Sequence, residues 1–244
     1  MIVETPELAN KYKKRSIAEQ NSLELSWAVL QEPQFKELRF CMFGEDCSSD
    51  ERRFRQLIVN SVMSTDLGDK ELKALRDKRW KEAFEESMPV EGVAAKQAMD
   101  RKATIVIEHL IQASDVSHTM QHWDIYRQWN TNLFRELYAA YRSGRADKDP
   151  AEFWYEGEIS FFDFYIIPLS KKLDECGVFG ISSDENLNYA LTNRELWVKE
   201  GQKVTAEMSR CAQLEWEVKA ASNPGITKSV NEPEDDSRFC ELPI

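Results

Sequence analysis

Apolar residues recur along most of this chain at three- and four-residue spacing, which predicts an all-α protein. Pro6 to Ala9 opens a segment in which Ile17, Leu23, Trp27 and Leu30 recur at helical spacing, and Pro33 ends it. Residues 39–47 read as a connector. Ser48-Ser49-Asp50-Glu51 has capping-box spacing and leads a one-face stripe of Phe54, Leu57, Ile58, Ser61, Val62 and Thr65. Gly68 interrupts, and a charged helix follows through Leu72, Leu75, Trp80 and Phe84. Beyond a loop from Ser87 to Gly92, a long helix begins near Ala94 and carries Ile105, Val106, His109, Leu110 and Ala113. The next helix is predicted to bury Tyr126, Trp129, Leu133, Leu137 and Tyr141, and Ser143-Gly144 stops it.

The run from Ile159 to Leu169 is rich in aromatic and β-branched residues and on its own fits a buried strand. Pro168 disfavours a central strand, and the pattern continues helically to Leu173, so the run is read as a buried helix kinked near Pro168. Ser182-Ser183-Asp184-Glu185 is a second capping box, ahead of Leu187, Leu191 and Trp197. A last helix is expected to about Ala221. After Asn223-Pro224-Gly225 the chain turns acidic and polar, and a disordered tail is expected over 223–244.

Composition narrows the function without naming it. The chain has 244 residues, 42% hydrophobic and 31% charged, enough for a full core. A net charge of −11 argues against nucleic acid as the main partner. It leaves a small anionic substrate open, because divalent cations reverse the local field of an acidic protein. Cys41, Cys47, Cys176, Cys211 and Cys240 show no metal spacing and are expected to be reduced thiols of an intracellular, cytoplasmic protein. No apolar run reaches membrane-spanning length, and no signal-peptide pattern follows Met1.

The chemistry concentrates between Ile111 and Trp129. If the helix runs on, Asp115, His118 and His122 stand at i, i+3 and i+7, three possible metal ligands on one face. The competing reading is a capping acid followed by packed or solvated histidines.

Six ordered stretches resemble the catalytic domain of class I 3′,5′-cyclic nucleotide phosphodiesterases. Residues 12–21, beginning Tyr12-Lys13-Lys14-Arg15-Ser16, are similar to that family's YNDxSVLENHH stretch. Val62 to Asp66 resembles its ILATDMS, and Ala113 to His118 stands in the place of its ADLSNP. Ile125 to Trp129 is similar to its LYRQW, and Glu158 to Leu169 to its QxGFIDFxxxPL. Asn193-Arg194-Glu195 resembles its NREW. The resemblance implies an all-helical, compact metallohydrolase bundle over residues 1–201, followed by a terminal helix over 202–222 and the tail.

It also implies hydrolysis of a cyclic nucleotide substrate by two divalent ions, zinc with magnesium or manganese. By position, Asp115 corresponds to a metal-binding aspartate that also faces substrate. Glu19, Thr65 and Asp66 correspond to groups that order metal-bound water and orient ligands. Phe161 corresponds to the aromatic that stacks on the purine. His118 takes the place of a purine-side Asn, and Trp129 a neighbouring pocket position. Glu158 replaces the base-reading glutamine, exchanging an amide that donates and accepts for a carboxylate that only accepts.

The family's HNxxH and HDxxH stretches, which supply the general acid and further ligands, would precede Met1. The expectation is therefore a domain incomplete at its N-terminus and inactive alone. The alternative is a non-catalytic helical module that binds a nucleotide or a partner protein.

Overall fold

The computed structural model describes residues 5–44, 48–85 and 91–222, and among these every regular element is helical. The expected tail, the loop at 87–90, Cys47 and Cys240 lie outside the described residues. The chain forms two compact units. One draws on residues up to 117 and on 168–186, the other on 118–167 and from 187 onward.

The first unit contains α1 (Pro6–Lys11), α2 (Ile17–Gln31), α3 (Lys36–Phe43), α4 (Ser48–Ser64), α5 (Lys70–Phe84) and α6 (Gly92–Asp115). Most of α9 (Ile167–Cys176) belongs to it as well. The segment after Pro6 is two helices rather than one. Lys13, Lys14 and Ser16 between them have φ of 54°, 59° and 40°, a left-handed course that no helix continues through. Residues 39–43 of the expected connector belong instead to α3, whose buried Phe43 packs edge-on to Phe54 at 5.2 Å. Pro33 ends α2 as its missing N–H requires, and opens a short 3₁₀ turn.

The core of this unit is built on Trp80, which stacks on Phe84 at 4.0 Å and meets His109 at 4.6 Å. Ala83 and Ile105 are buried in the same cluster and Cys176 packs against it. His109 is a core residue. Its Nδ1 donates to Ile105 O at 2.7 Å, and burial lowers its pKa to about 4, so the ring stays neutral. Asp69 caps α5 by accepting from Glu71 N and Leu72 N at 2.9 and 3.1 Å.

The second unit contains α7 (Trp123–Arg142), α8 (Trp154–Phe161) and α10 (Glu185–Ser222). α10 is one helix of 38 residues, so the expected boundary between 201 and 202 falls inside it. Gly201 is buried there, and a Cβ at that position would come within 2.8 Å of the Trp197 ring.

The buried row of α7 is Tyr126, Asn130, Phe134 and Tyr138, whereas Trp129, Leu133 and Leu137 are exposed. The apolar pattern pointed one position away because the true row contains a polar residue. Asn130 earns its place by hydrogen bonds to Trp154 and Tyr126.

Between α8 and α9 the chain forms a π-turn, Phe162–Ile166, in which Ile167 N–H bonds Phe162 O. Where the sequence predicts a kink near Pro168, the chain has this widened turn. Pro168 has no N–H and its ring crowds the carbonyl of residue 164, and a widened turn just before it accommodates both.

Candidate functional site

The expected site residues divide between the units. Glu19, Thr65, Asp66 and Asp115 lie in the first, and His118, Trp129, Glu158 and Phe161 in the second.

In the first unit, Asp115 is the last residue of α6 and is exposed, as an acid at an uncapped helix end would be. Its helix is locked to the end of α4 three residues earlier. Buried Gln112 donates from Nε2 to Ser64 O at 2.8 Å, and Ser64 Oγ donates to Glu108 O at 3.3 Å. Glu108 is fully buried and ion-paired with Arg79 Nη1 at 2.9 Å. Burial pushes the Glu108 carboxyl above its ordinary value, while Arg79 and Arg76 pull it back.

Sequence reasoning missed Ser64, Gln112 and Glu108. Their signal was present: Glu108, Gln112 and Asp115 stand at i, i+4 and i+7 in an otherwise apolar run.

Thr65 and Asp66 follow directly on α4. Thr65 Oγ1 donates back to Val62 O at 2.8 Å. Asp66 Oδ1 accepts from Gly68 N at 2.9 Å, and Oδ2 accepts from Ser16 Oγ at 2.5 Å. Glu19 lies half-buried in the first turn of α2, with no hydrogen bond or ion pair among the described residues.

In the second unit a series of buried hydrogen bonds ends on Glu158. Trp154 Nε1 donates to Asn130 Oδ1 at 3.1 Å, and Asn130 Nδ2 donates to the Tyr126 hydroxyl at 3.4 Å. That hydroxyl donates to Glu158 Oε2 at 2.6 Å. Glu158 as a residue is half-buried, but its carboxyl end turns inward on to the fully buried Tyr126. Burial pushes its pKa up to about 7, against the opposing pull of Tyr126 and Asn130. The same burial, reinforced by the neighbouring carboxylate, holds Tyr126 well above the usual phenol value.

His118 and Trp129 gather at the same tyrosine. The His118 ring lies 6.5 Å from Tyr126 and 6.3 Å from Trp129. Phe161, half-buried, stacks on Tyr165 at 5.4 Å. Asn193 is fully buried, and its Nδ2 donates to Thr119 O at 3.0 Å and to Gln121 O at 2.7 Å, which fixes the turn that carries His118.

The three-ligand face on one helix does not form. α6 ends at Asp115, His118 lies in a 3₁₀ turn (Ser117–Met120), and His122 is the N-cap of α7. Asp115 breaks the run because Val116 has left helical geometry, with φ −112° and ψ 20°. Among the described residues no three His, Cys, Asp or Glu side chains converge as a metal site. The residues present therefore do not by themselves fit a two-ion centre, which needs several such ligands.

The family model described as 3′5′-cyclic nucleotide phosphodiesterase matches residues 2–178. The chain belongs to this family. Its similarity to the mouse (Mus musculus) dual specificity calcium/calmodulin-dependent 3′,5′-cyclic nucleotide phosphodiesterase 1C is 25% identity over 129 residues, 52% of this chain and 15% of that protein. The probable 3′,5′-cyclic-AMP phosphodiesterase pde-4 of Caenorhabditis elegans is 27% identical over 146 residues, 59% of this chain and 20% of that protein. The chain thus spans a fifth or less of the curated relatives it matches.

The phosphodiesterase domain of the RhoPDE fusion protein from the choanoflagellate Salpingoeca rosetta shares the fold. Its TM-score is 0.57 at 20% identity, over 84% of this chain and 61% of that domain. Family membership agrees with the helical fold, and no helix among the described residues is long and apolar enough to cross a membrane.

Proposed function

We propose that this chain serves hydrolysis of 3′,5′-cyclic nucleotides to 5′-monophosphates, and that its second unit by itself reads the purine base. The observation that carries this is the buried hydrogen-bond series ending on Glu158, at the position where the family resemblance puts its base-reading glutamine. The sequence alone implied a carboxylate that only accepts. A carboxyl with a pKa of about 7 is protonated for much of the time near neutrality. Tyr126 already donates to Oε2, which leaves Oε1 to carry the proton. In that form Glu158 presents a donor and an acceptor, as the glutamine would.

Phe161 and Trp129 offer aromatic faces for the base, and His118 a further polar edge. In the first unit Asp115 is the carboxylate that the family resemblance offers to a divalent ion, and Thr65, Asp66 and Glu19 are the groups that by the same resemblance would hold water around it. Two ions, zinc with magnesium or manganese by the family resemblance, would supply a hydroxide and neutralise phosphoryl charge, but the described residues do not themselves make that centre. One carboxylate does not make such a centre.

The test is equilibrium binding of cAMP and cGMP to the purified chain, with and without divalent ions, alongside product formation. Binding lost in Glu158→Ala and retained in Glu158→Gln supports the reading. No measurable binding of either nucleotide would end it. A second reading, a nucleotide-binding module that works without metal, is favoured by the lack of converging metal ligands among the described residues. Binding undiminished by EDTA, with no product formed, distinguishes it.

A further inference from the structure

The segment between α1 and α2 reads Lys13-Lys14-Arg15-Ser16-Ile17. Lys13, Lys14 and Arg15 are exposed, and Ser16 is half-buried. Lys13, Lys14 and Ser16 occupy left-handed backbone, where a Cβ is crowded, so three of four consecutive residues are strained. Polar contacts hold the strain in place. Gln20 Nε2 donates to Arg15 O at 2.7 Å. Arg15 Nη2 donates to Asp69 at 2.7 Å and to Glu71 at 2.8 Å. Ser16 Oγ donates to Asp66 at 2.5 Å. On the N-terminal side α1 is six residues long and buries only Ala9.

We propose that Ser16 is a phosphorylation site for a basic-directed serine/threonine protein kinase, and that phosphorylation there detaches the loop from Asp66. Three consecutive cations before a hydroxyl, and an aliphatic residue after it, form the charge pattern that an acidic kinase groove selects. The family pattern that this stretch resembles has Asn-Asp where this chain has Lys13-Lys14, so those two cations depart from that pattern.

In the transfer, Ser16 Oγ forms a bond to the γ-phosphorus of ATP. The bond from that phosphorus to ADP breaks, and the hydroxyl proton leaves. The hydrogen bond donated to Asp66 is lost with that proton. A group of charge about −1.5 to −2 then faces a carboxylate, and the contact becomes repulsive.

Asp66 has little room to turn away, because its other oxygen accepts from Gly68 N. The phosphate does have somewhere to go. Ser16 immediately precedes α2 and makes no capping bond with its side chain, so a phosphate there faces the free N–H groups of the first turn. Lys14, Arg15 and Lys70 line the same cleft of about 590 Å³, together with Asp66, Asp69 and Glu71, and only Arg15 of the three cations is held in an ion pair with those acids. Phosphorylation therefore exchanges one fixed arrangement of the loop for another and leaves Asp66 without its partner.

The test treats the full chain with ATP and the catalytic subunit of a basic-directed kinase, localises phosphate by mass spectrometry, and follows amide exchange. Expected are phosphate at Ser16, none in Ser16→Ala, and exchange about tenfold faster over residues 64–69 in the phosphorylated chain. Asp66→Asn removes the like charge, so phosphorylation of that variant should leave exchange over 64–69 unchanged. Failure of the folded chain to accept phosphate at Ser16, while a synthetic peptide of residues 10–20 accepts it, would overturn the proposal. So would phosphate at Ser16 with unaltered exchange in the wild-type chain.

Discussion

The Tyr126 hydroxyl and the Glu158 carboxyl share a hydrogen bond of 2.6 Å in surroundings that hold the acid at a pKa of about 7. Tyr126 is fully buried and receives in turn from Asn130, so the pair is fixed from behind. A buried acid in this state costs stability only when it is ionised, which makes it a pH-dependent element of the fold.

Its sign follows from linkage. The folded pKa lies above the ordinary carboxyl value of 4.5, so between these two values the folded chain holds the proton that the unfolded chain has released. Stability from this group is complete below about pH 4.5 and is lost as pH rises through about 7. Glu158→Gln keeps the shape and the acceptor without the charge. Its melting temperature should match wild type at pH 4.5 and exceed it by several degrees at pH 8, at roughly 2–4 °C per kcal/mol. Thermal melts across that range check this; a constant offset would refute it.

Tyr126→Phe removes the donor to Glu158 and the acceptor for Asn130 while preserving ring packing against Phe162 and Trp197. Two buried polar groups lose a partner, for a cost of about 1–3 kcal/mol by denaturant unfolding. The Glu158 pKa should rise further, because a bond that favours its ionised form is gone. Carboxyl titration by NMR reads that shift directly.

Gly201→Ala tests the packing of α10. In an open helix this change stabilises by about 0.5–1 kcal/mol. Here the new Cβ would sit 2.8 Å from the ring of fully buried Trp197, whose Nε1 donates to Tyr155 O at 3.1 Å. The expected sign is reversed, a lower melting temperature with altered Trp fluorescence.

Gln112→Met checks the lock behind Asp115. It keeps the length of the side chain and deletes the donor to Ser64 O. A loss of about 1–3 kcal/mol is expected, with exchange at residues 64–66 rising more than elsewhere.

On α7, Ile125, Trp129, Leu133 and Leu137 form an exposed apolar row, each between 38% and 57% accessible. The isolated chain should bind a hydrophobic dye. Leu133→Gln with Leu137→Gln should reduce that binding without lowering the melting temperature.

Much of this fold was legible because α4, α5, α6 and α7 are long and regularly punctuated. Pro33 acts where its chemistry requires. The pattern failed where polar residues do interior work. Asn130 sits in the buried row of α7, and apolar Trp129, Leu133 and Leu137 drew the reading to the wrong face. The left-handed course through Lys13, Lys14 and Ser16 has no glycine to announce it. At the site, the replacement of glutamine by Glu158 was visible, but its raised pKa was not. That value depends on burial and on Tyr126, 32 residues away in sequence. The supposed ligand face of Asp115, His118 and His122 failed because spacing presumes one continuous helix, and α6 stops at the first of them.

The most direct test of purine reading by Glu158 is the pH dependence of cyclic nucleotide binding, measured by calorimetry at pH 6 and pH 8 in EDTA. With a pKa of about 7 the protonated fraction falls about tenfold over that interval. Affinity should fall about tenfold with it in wild type and stay level in Glu158→Gln. Equal affinity at both pH values in wild type, or the same pH dependence in both proteins, would contradict the account.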